Sequence, residues 1–271
     1  MPLNIDKVRA RLSSLQTQTT KQDHLWKPPV GKSTIRITPY KFNKDNPFIE
    51  LLFHYNIGGK TYLSPASFGR PDPIIEFAEK LRAGGTKDEY KLAKVLEPKL
   101  RTFAPIIVRG EEDKGAKFWG FGKTVYQELL SIIADADYGD ITDPANGRDI
   151  VVEFKSAEET GKSFPTTSIR VKPNKSMLVE TKEAFQKIVE TQKDITEIYK
   201  ELTYEELQEV LRNWLKPENQ KKQQQAANEE SAEPEVAPAP TPKAESKKQP
   251  AVATVTELAD VTKKFEELFA N

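Results

Sequence analysis

Cationic and aromatic side chains alternate with aliphatic ones along several short segments of the chain. In RTFAPIIVR, Arg101, Phe103 and Arg109 share one face of an extended strand, because side chains two residues apart point to the same side. The residues placed in this way here and in three similar segments are Arg36, Arg101, Phe103, Arg109, Lys117, Trp119, Phe121, Arg170 and Lys172. Aromatic rings stack on bases and cations pair with phosphates, so the pattern predicts a surface for single-stranded nucleic acid.

Other reactive groups give weaker signals. The chain has no Cys and two His, His24 and His54, which excludes thiolate metal sites and cysteine nucleophiles and leaves little for a catalytic triad. Two Gly-Lys-Thr tripeptides, at 59–61 and 122–124, lack the glycine five residues earlier that a phosphate-binding loop requires. Neither tripeptide therefore indicates a nucleotide-binding enzyme.

Four aspartates cluster at Asp135, Asp137, Asp140 and Asp143. Carboxylates can bind a hard cation, but this spacing does not match a calcium loop, and Asp with Gly is typical of turns. A metal-dependent nuclease is the enzymatic alternative. We predict a protein without catalytic residues, metal or cofactor.

The distribution of charge favours an anionic partner. The whole chain balances 41 basic against 41 acidic side chains, but residues 1–110 carry 19 basic and 10 acidic ones. Residues 176–271 carry 13 basic and 19 acidic ones, so a basic body precedes an acidic tail. The sequence contains no apolar run long enough for a membrane span and no secretory signal pattern, and we expect a cytoplasmic protein.

These side chains need strands and helices to position them. The predicted strands are 33–40, 48–57, 101–109, 117–121, 150–155 and 166–172, rich in β-branched and aromatic residues. The predicted helices are 72–84, one after Thr86, 123–134, and a hairpin of 181–199 and 203–216. Short strands interrupted by helices indicate an α+β fold, an elaborated OB-fold barrel with inserted helices.

The C-terminal part differs in composition. Residues 217–253 contain no aromatic, Leu or Ile, which predicts a disordered linker. Beyond it, a Thr254/Glu257 capping box precedes an amphipathic helix whose apolar stripe is Leu258, Val261, Phe265, Leu268 and Phe269. The stripe is predicted to dock on a partner protein, with packing back on the body of the chain as the alternative.

Several motifs resemble, in order and spacing, the family of single-stranded DNA-binding proteins of T-even-like phages. They are Trp26-Lys27, GKSTIRITPY, FHYNIGGKTYL, YKLAKVLEPKLRTFAPIIV, KFWGFGKTVYQEL and GDITDPANGRDIVVEFK. The resemblance covers residues 20–175. It implies an OB-fold groove lined by aromatics and cations that binds displaced single strands cooperatively.

The resemblance also implies roles for individual residues. Phe103 matches a groove aromatic of the family, Trp119 and Phe121 match its aromatic strand, Tyr90 matches a tyrosine and Arg36 a basic residue of the opening strand. All five are predicted to contact DNA, as is Lys123 in the Gly-Lys turn after the aromatic strand. A basic N-terminal segment that contacts the neighbouring molecule would correspond to Lys7, Arg9 and Arg11. Family members commonly hold zinc through His and Cys; here only His54 persists, which implies a zinc-free variant stabilised by the helix over 72–84.

The strand pattern predicts a non-enzymatic nucleic-acid-binding protein, and the resemblance implies a role in phage DNA replication, recombination and repair. Its partners would be single-stranded DNA, other copies of itself along the strand, and phage proteins recruited by the C-terminus, in the cytoplasm of an infected bacterium. The alternative is an interaction scaffold, or an RNA-binding OB protein. The predicted divisions are a basic segment 1–20, a core 21–216 with a subdomain at about 58–98 and a helical hairpin at 181–216, a linker 217–253, and a helix 254–271.

Overall fold

The computed structural model describes residues 24–216 and 255–269, which form two compact units. The first unit comprises residues 24–50 and 101–198, and the second comprises 51–100, 199–216 and 255–269. Within the described residues the fold is mixed α+β, with eight strands and eight α-helices.

A β-sheet forms the centre of the first unit. Its strands are β1 (Leu25–Trp26), β2 (Gly31–Ile37), β5 (Lys99–Val108), β6 (Lys117–Phe121), β7 (Arg148–Lys155) and β8 (Thr166–Lys175). They are hydrogen-bonded in the order β1-β6-β5-β2-β7-β8. The β1–β6 pair is parallel, and the other pairs are antiparallel.

The described part of the first unit also contains four α-helices. They are α3 (Lys123–Ala134), α4 (Ala157–Thr160), α5 (Lys182–Glu190) and α6 (Ile195–Ile198), with a 3₁₀ turn at Glu112–Lys114. Val125 and Leu129 of α3 pack into an apolar core with strand residues such as Ile35, Ile106 and Ile150. A smaller cluster of Ile107, Leu178 and Ile188 covers the opposite side of β5.

The second unit is mostly helical. It contains most of β3 (Ile49–Ile57), its hairpin partner β4 (Lys60–Leu63), a 3₁₀ turn at Pro65–Phe68, α1 (Pro73–Ala83), α2 (Lys87–Leu96), α7 (Tyr204–Leu215) and α8 (Val255–Phe269). Asp72 caps α1 by accepting hydrogen bonds from the backbone N–H groups of Ile74 and Ile75. The reciprocal capping boxes Thr86/Glu89 and Thr203/Glu206 begin α2 and α7.

Most predicted elements are confirmed, and two differences have physical causes. The predicted helix over 181–199 is interrupted between α5 and α6, where the buried Gln192 side chain donates to Thr38 Oγ1 and Pro39 O at 2.9 Å. Strand β1 was missed because two residues are too short to show a periodic pattern. The predicted capping box at Thr254 and the predicted linker lie outside the described residues.

Candidate nucleic-acid interface

The strand register places six of the predicted residues on one face of the sheet. Thr34 pairs with Val151 and Val151 with Arg170, while Arg36 pairs with Ile107. Since side chains two residues apart share a face, that face carries Arg36, Arg101, Phe103, Arg109, Arg170 and Lys172. The sequence pattern therefore grouped these side chains correctly, but their surroundings differ along the face.

Trp119 and Phe121 lie on the opposite face, which is the apolar core. Trp119 pairs with Ala104 in the register and is 1% exposed, while Phe121 is 3% exposed. The Trp119 ring meets Trp26 edge-on, with centroids 5.9 Å apart. The expectation that these rings share an open face with Lys117 is wrong. Lys117 begins β6 and is half-buried, so one strand face can carry a lysine at its end and core aromatics further along.

Arg36 is an internal residue. Its side chain is fully buried, and its Nη2 donates to the carbonyl oxygens of Asp143 at 2.6 Å and Ser176 at 3.0 Å. Burial lowers the pKa of Arg36 to about 10, opposed in part by the Asp149 carboxylate. The guanidinium thus ties two loops to β2, and the expectation that Arg36 presents its charge to DNA is wrong for this structure.

Arg109 is also engaged inside the unit. Its guanidinium contacts the Asp149 carboxylate at 2.8 Å and donates to the carbonyl oxygens of Met177 and Leu178. This arrangement fixes the segment that follows β8. The predicted phosphate-contacting role of Arg109 has no support from this geometry.

The remaining part of the face, on β2, β7 and β8, is open. We call it the outer sheet face, and it consists of Lys32, Thr34, Val151, Glu153, Ser168, Arg170 and Lys172. Lys32 and Arg170 are exposed, and with Glu153 and Ser168 they line a shallow groove of about 250 Å³. Lys172 is half-buried and lies 3.9 Å from Asp149. Lys32 was missed because the strand was predicted to begin at residue 33, whereas it begins at Gly31.

Arg101 and Phe103 lie at the other end of the same face. Arg101 is half-buried and donates to Gly120 O at 2.9 Å, while Phe103 is 2% exposed. A Cβ on Gly120 would come within 2.7 Å of the Phe103 ring, so the ring rests on a position that only glycine allows. The expectation that Phe103 offers an open stacking surface is wrong for this structure.

The second unit carries its own aromatic and cationic side chains. Tyr90, on α2, is 59% exposed, as the prediction of a stacking residue requires, and Lys87 and Lys94 are exposed on the same helix. Lys99 Nζ lies 6.0 Å from the Tyr55 ring centroid. Tyr55 and Lys99 are not among the residues that the sequence predicts for the interface. Alternation of Phe53, Tyr55 and Ile57 along β3 was the available signal, but it resembles that of an ordinary core strand.

Lys123 is exposed at the first position of α3, where its ammonium group is accessible. Phe164, in the connection between β7 and β8, is 38% exposed beside the exposed Lys162. Phe164 and Lys162 were missed because they lie in a loop, where no periodic pattern identifies them. Lys7, Arg9 and Arg11 lie outside the described residues.

A buried polar network occupies the place where the resemblance implied a metal in other family members. His54 Nδ1 contacts Leu96 O at 2.8 Å, and Nε2 contacts Asp72 Oδ2 at 3.0 Å. Asp72 Oδ2 also accepts the Ser64 hydroxyl at 2.5 Å. Burial alone would raise the pKa of Asp72, but the hydrogen bonds and charge of His54 and the Ser64 hydroxyl lower it. Each ring nitrogen of His54 therefore has a buried oxygen partner, so the imidazole is held from both sides.

The aspartate cluster is turn structure. Asp140 Oδ1 accepts the backbone N–H of Thr142, and Asp143 Oδ1 accepts those of Ala145 and Asn146. Those backbone hydrogen bonds lower the pKa of Asp143. Among the described residues, no group of three His, Cys, Asp or Glu side chains could hold a metal ion.

The C-terminal stripe is packed against its own chain. Val261 is 4% and Phe265 1% exposed, whereas Leu268 and Phe269 are partly buried, all in contact with the core of the second unit. The alternative that the helix packs back is therefore confirmed, and the stripe is not open to a partner in this structure. The Leu258 side chain lies outside the described positions.

A comparison with protein families identifies the family of this chain. The family model described as gp32 DNA binding protein like matches residues 30–216. This chain belongs to the gp32-like DNA-binding protein family. The resemblance found in the sequence is thereby confirmed, and the family is one of DNA-binding proteins rather than of enzymes. A search of curated proteins gives no significant match. No helix in the described ranges is both long and apolar enough to cross a membrane.

Proposed function

We propose that this gp32-like protein binds single-stranded DNA cooperatively and without sequence preference, in phage DNA replication, recombination and repair in the cytoplasm of an infected bacterium. Family membership over residues 30–216 carries this proposal. The β-sheet of the first unit is proposed to be an elaborated OB-fold barrel. The predicted segment with Lys7, Arg9 and Arg11 would supply contacts between copies, and the C-terminus would recruit phage proteins.

DNA binding is supported by cationic and aromatic side chains that are accessible to solvent. On the first unit these are Lys32 and Arg170 of the outer sheet face, with Lys123 and Phe164 elsewhere on the surface. On the second unit they are Tyr90 and the lysines of α2. Cations that track the backbone and rings that stack on any base give affinity without base readout. Arg101, Lys117 and Lys172, which are half-buried, remain proposed phosphate contacts.

The test is fluorescence anisotropy with labelled oligothymidylates of increasing length. Affinity that rises steeply once an oligonucleotide can hold two copies indicates cooperativity, and equal affinity for mixed sequences indicates nonspecific binding. Lys32→Ala with Arg170→Ala should weaken binding, whereas Lys187→Ala, an exposed lysine on α5, is the matched control. Equal affinity of the double variant and the control would remove the outer sheet face from the interface.

The interaction-scaffold alternative rests on the amphipathic C-terminal helix. A scaffold that binds RNA would bind RNA more tightly than oligothymidylate. A scaffold that binds an acidic protein would bind oligothymidylate no more tightly than it binds a polyanion that is not a nucleic acid. Competition of the labelled oligonucleotide with RNA and with heparin separates the two functions.

A further inference from the structure

Helix α8 occupies a cleft formed by α1 and α7 in the second unit. The Phe265 ring meets Phe77 of α1 edge-on, with centroids 5.6 Å apart, and the Arg212 guanidinium of α7 lies 5.7 Å from the Phe265 centroid. Phe269 contacts Tyr204 of α7 at a centroid distance of 6.4 Å. The apolar side chains that share a cluster with Val261 and Phe265 include Phe77, Leu81, Leu211 and Trp214. We call this surface the α1–α7 cleft.

A polar contact fixes the position of the helix along the cleft. Lys264 Nζ forms a salt bridge with Glu89, whose other carboxylate oxygen accepts the Thr86 N–H in the cap of α2. A Cβ on Gly84 would come within 2.5 Å of Lys264 Nζ, so the helix approaches the α1–α2 turn closely. The cleft therefore holds α8 through an aliphatic residue, an aromatic four positions later and a lysine between them.

Only one face of α8 is covered. Val261 and Phe265, four residues apart, are buried, whereas Lys263, Glu266 and Glu267 are exposed. The covered side chains belong to the same stripe that the sequence assigns to partner proteins. A helix cannot present these side chains to the cleft and to a partner at the same time.

We propose that the α1–α7 cleft is a receptor for an amphipathic helix, that the C-terminal helix of this chain is its resident ligand, and that docking is reversible. Partner recruitment through the stripe, which rests on the proposed function, then requires release of the helix from the cleft. Because helix and cleft belong to one chain, docking is intramolecular, and a partner's apparent affinity falls in proportion to the released fraction. The competition is between two apolar surfaces for one stripe, the cleft on the one hand and the partner on the other.

Thiol labelling measures docking in the full chain. The protein has no Cys, so Val261→Cys introduces a unique thiol on the buried stripe and Glu266→Cys introduces one on the exposed face of the same helix. We expect Val261→Cys to react with a disulfide reagent at least tenfold more slowly than Glu266→Cys. Equal rates would overturn the proposal.

Two perturbations test reversibility without touching the core of the unit. Lys264→Glu, which replaces the Glu89 salt bridge by repulsion, should raise the labelling rate of Val261→Cys towards that of the exposed control. An excess of a synthetic peptide of residues 254–271 should do the same by occupying the cleft, whereas the peptide with Phe265→Ala and Phe269→Ala should not. Slow labelling that neither perturbation changes would show a permanently packed helix and would overturn reversible docking. None of these measurements uses DNA or a partner, so they remain decisive even if the proposed DNA binding fails.

Discussion

Both units of the chain bury an ionisable side chain, but the partners of that side chain differ. In the first unit, two backbone carbonyl oxygens hold the Arg36 guanidinium. In the second, the Asp72 carboxylate contacts His54 Nε2 and accepts hydrogen bonds from Ser64 and from the N-terminus of α1. A guanidinium keeps its charge as the pH falls, whereas a carboxylate becomes protonated. The second unit should therefore be the one whose stability depends on acidity.

The largest effect should come from the core of the first unit. Trp119→Ala removes a ring that packs among Trp26, Phe121 and Ala104, and we expect it to destabilise that unit by about 3–5 kcal/mol. Hydrogen exchange should accelerate in β5 and β6 but not in α1 or α7. A variant that stays as stable as the parent but binds DNA more weakly would show that Trp119 contacts DNA.

The second unit should respond to loss of the buried Asp72 carboxylate. Asp72→Asn removes the charged partner of His54 Nε2 and weakens the cap of α1, which should destabilise this unit by about 3 kcal/mol. Asp88→Asn, an aspartate half-exposed on α2 and paired with Lys91, is the control and should have almost no effect. Accelerated exchange confined to residues 51–100 and 199–216 is the expected signature, and exchange spread equally over both units would contradict it.

Acidification should distinguish the units further. The pKa of Asp72 is lower in the folded protein than its ordinary value of 3.8, so the unfolded chain binds its proton first as the pH falls. The stability that the carboxylate contributes is present above that ordinary value and is lost as the pH falls through the folded pKa. The difference in unfolding free energy between the parent and Asp72→Asn should therefore shrink on acidification. A constant difference would show that the carboxylate contributes no charge to the network.

The contrast between the units also explains what the sequence could predict. Periodicity identified β6 and α3 with their bounds, and cap chemistry at Asp72, Thr86 and Thr203 placed the starts of three helices. Alternation showed which residues share a face, but it could not show whether that face is covered. Arg36 is covered by segments far away in the chain, around Asp143 and Ser176, and packing between such segments leaves no local signal. Phe103 is buried as well, although its strand alternates in the same way.

A smaller effect is expected at the exposed ring of the second unit. Tyr90→Ala should weaken binding of oligothymidylate by about 1–3 kcal/mol, because one base loses its stacking partner, and should leave the melting temperature unchanged. Val95→Ala, at another exposed position of α2, controls for changes in the helix itself. If both variants bind equally well, α2 does not contact the strand.

The smallest effect should appear in the salt dependence, and it separates open cations from internal ones. On a single strand, the logarithm of the binding constant falls with the logarithm of salt concentration by about 0.7 for each neutralised phosphate. Arg170→Ala and Lys32→Ala should each flatten this slope by less than one unit, because both side chains are exposed on the outer sheet face. Arg109→Lys keeps the charge of a residue that is already paired with Asp149, so it should leave the slope unchanged even if it lowers stability. Titrations at several salt concentrations measure all three slopes. If Arg109→Lys flattened the slope and Arg170→Ala did not, Arg109 rather than Arg170 would be the residue that contacts phosphate. The outer sheet face would then not be part of the DNA interface.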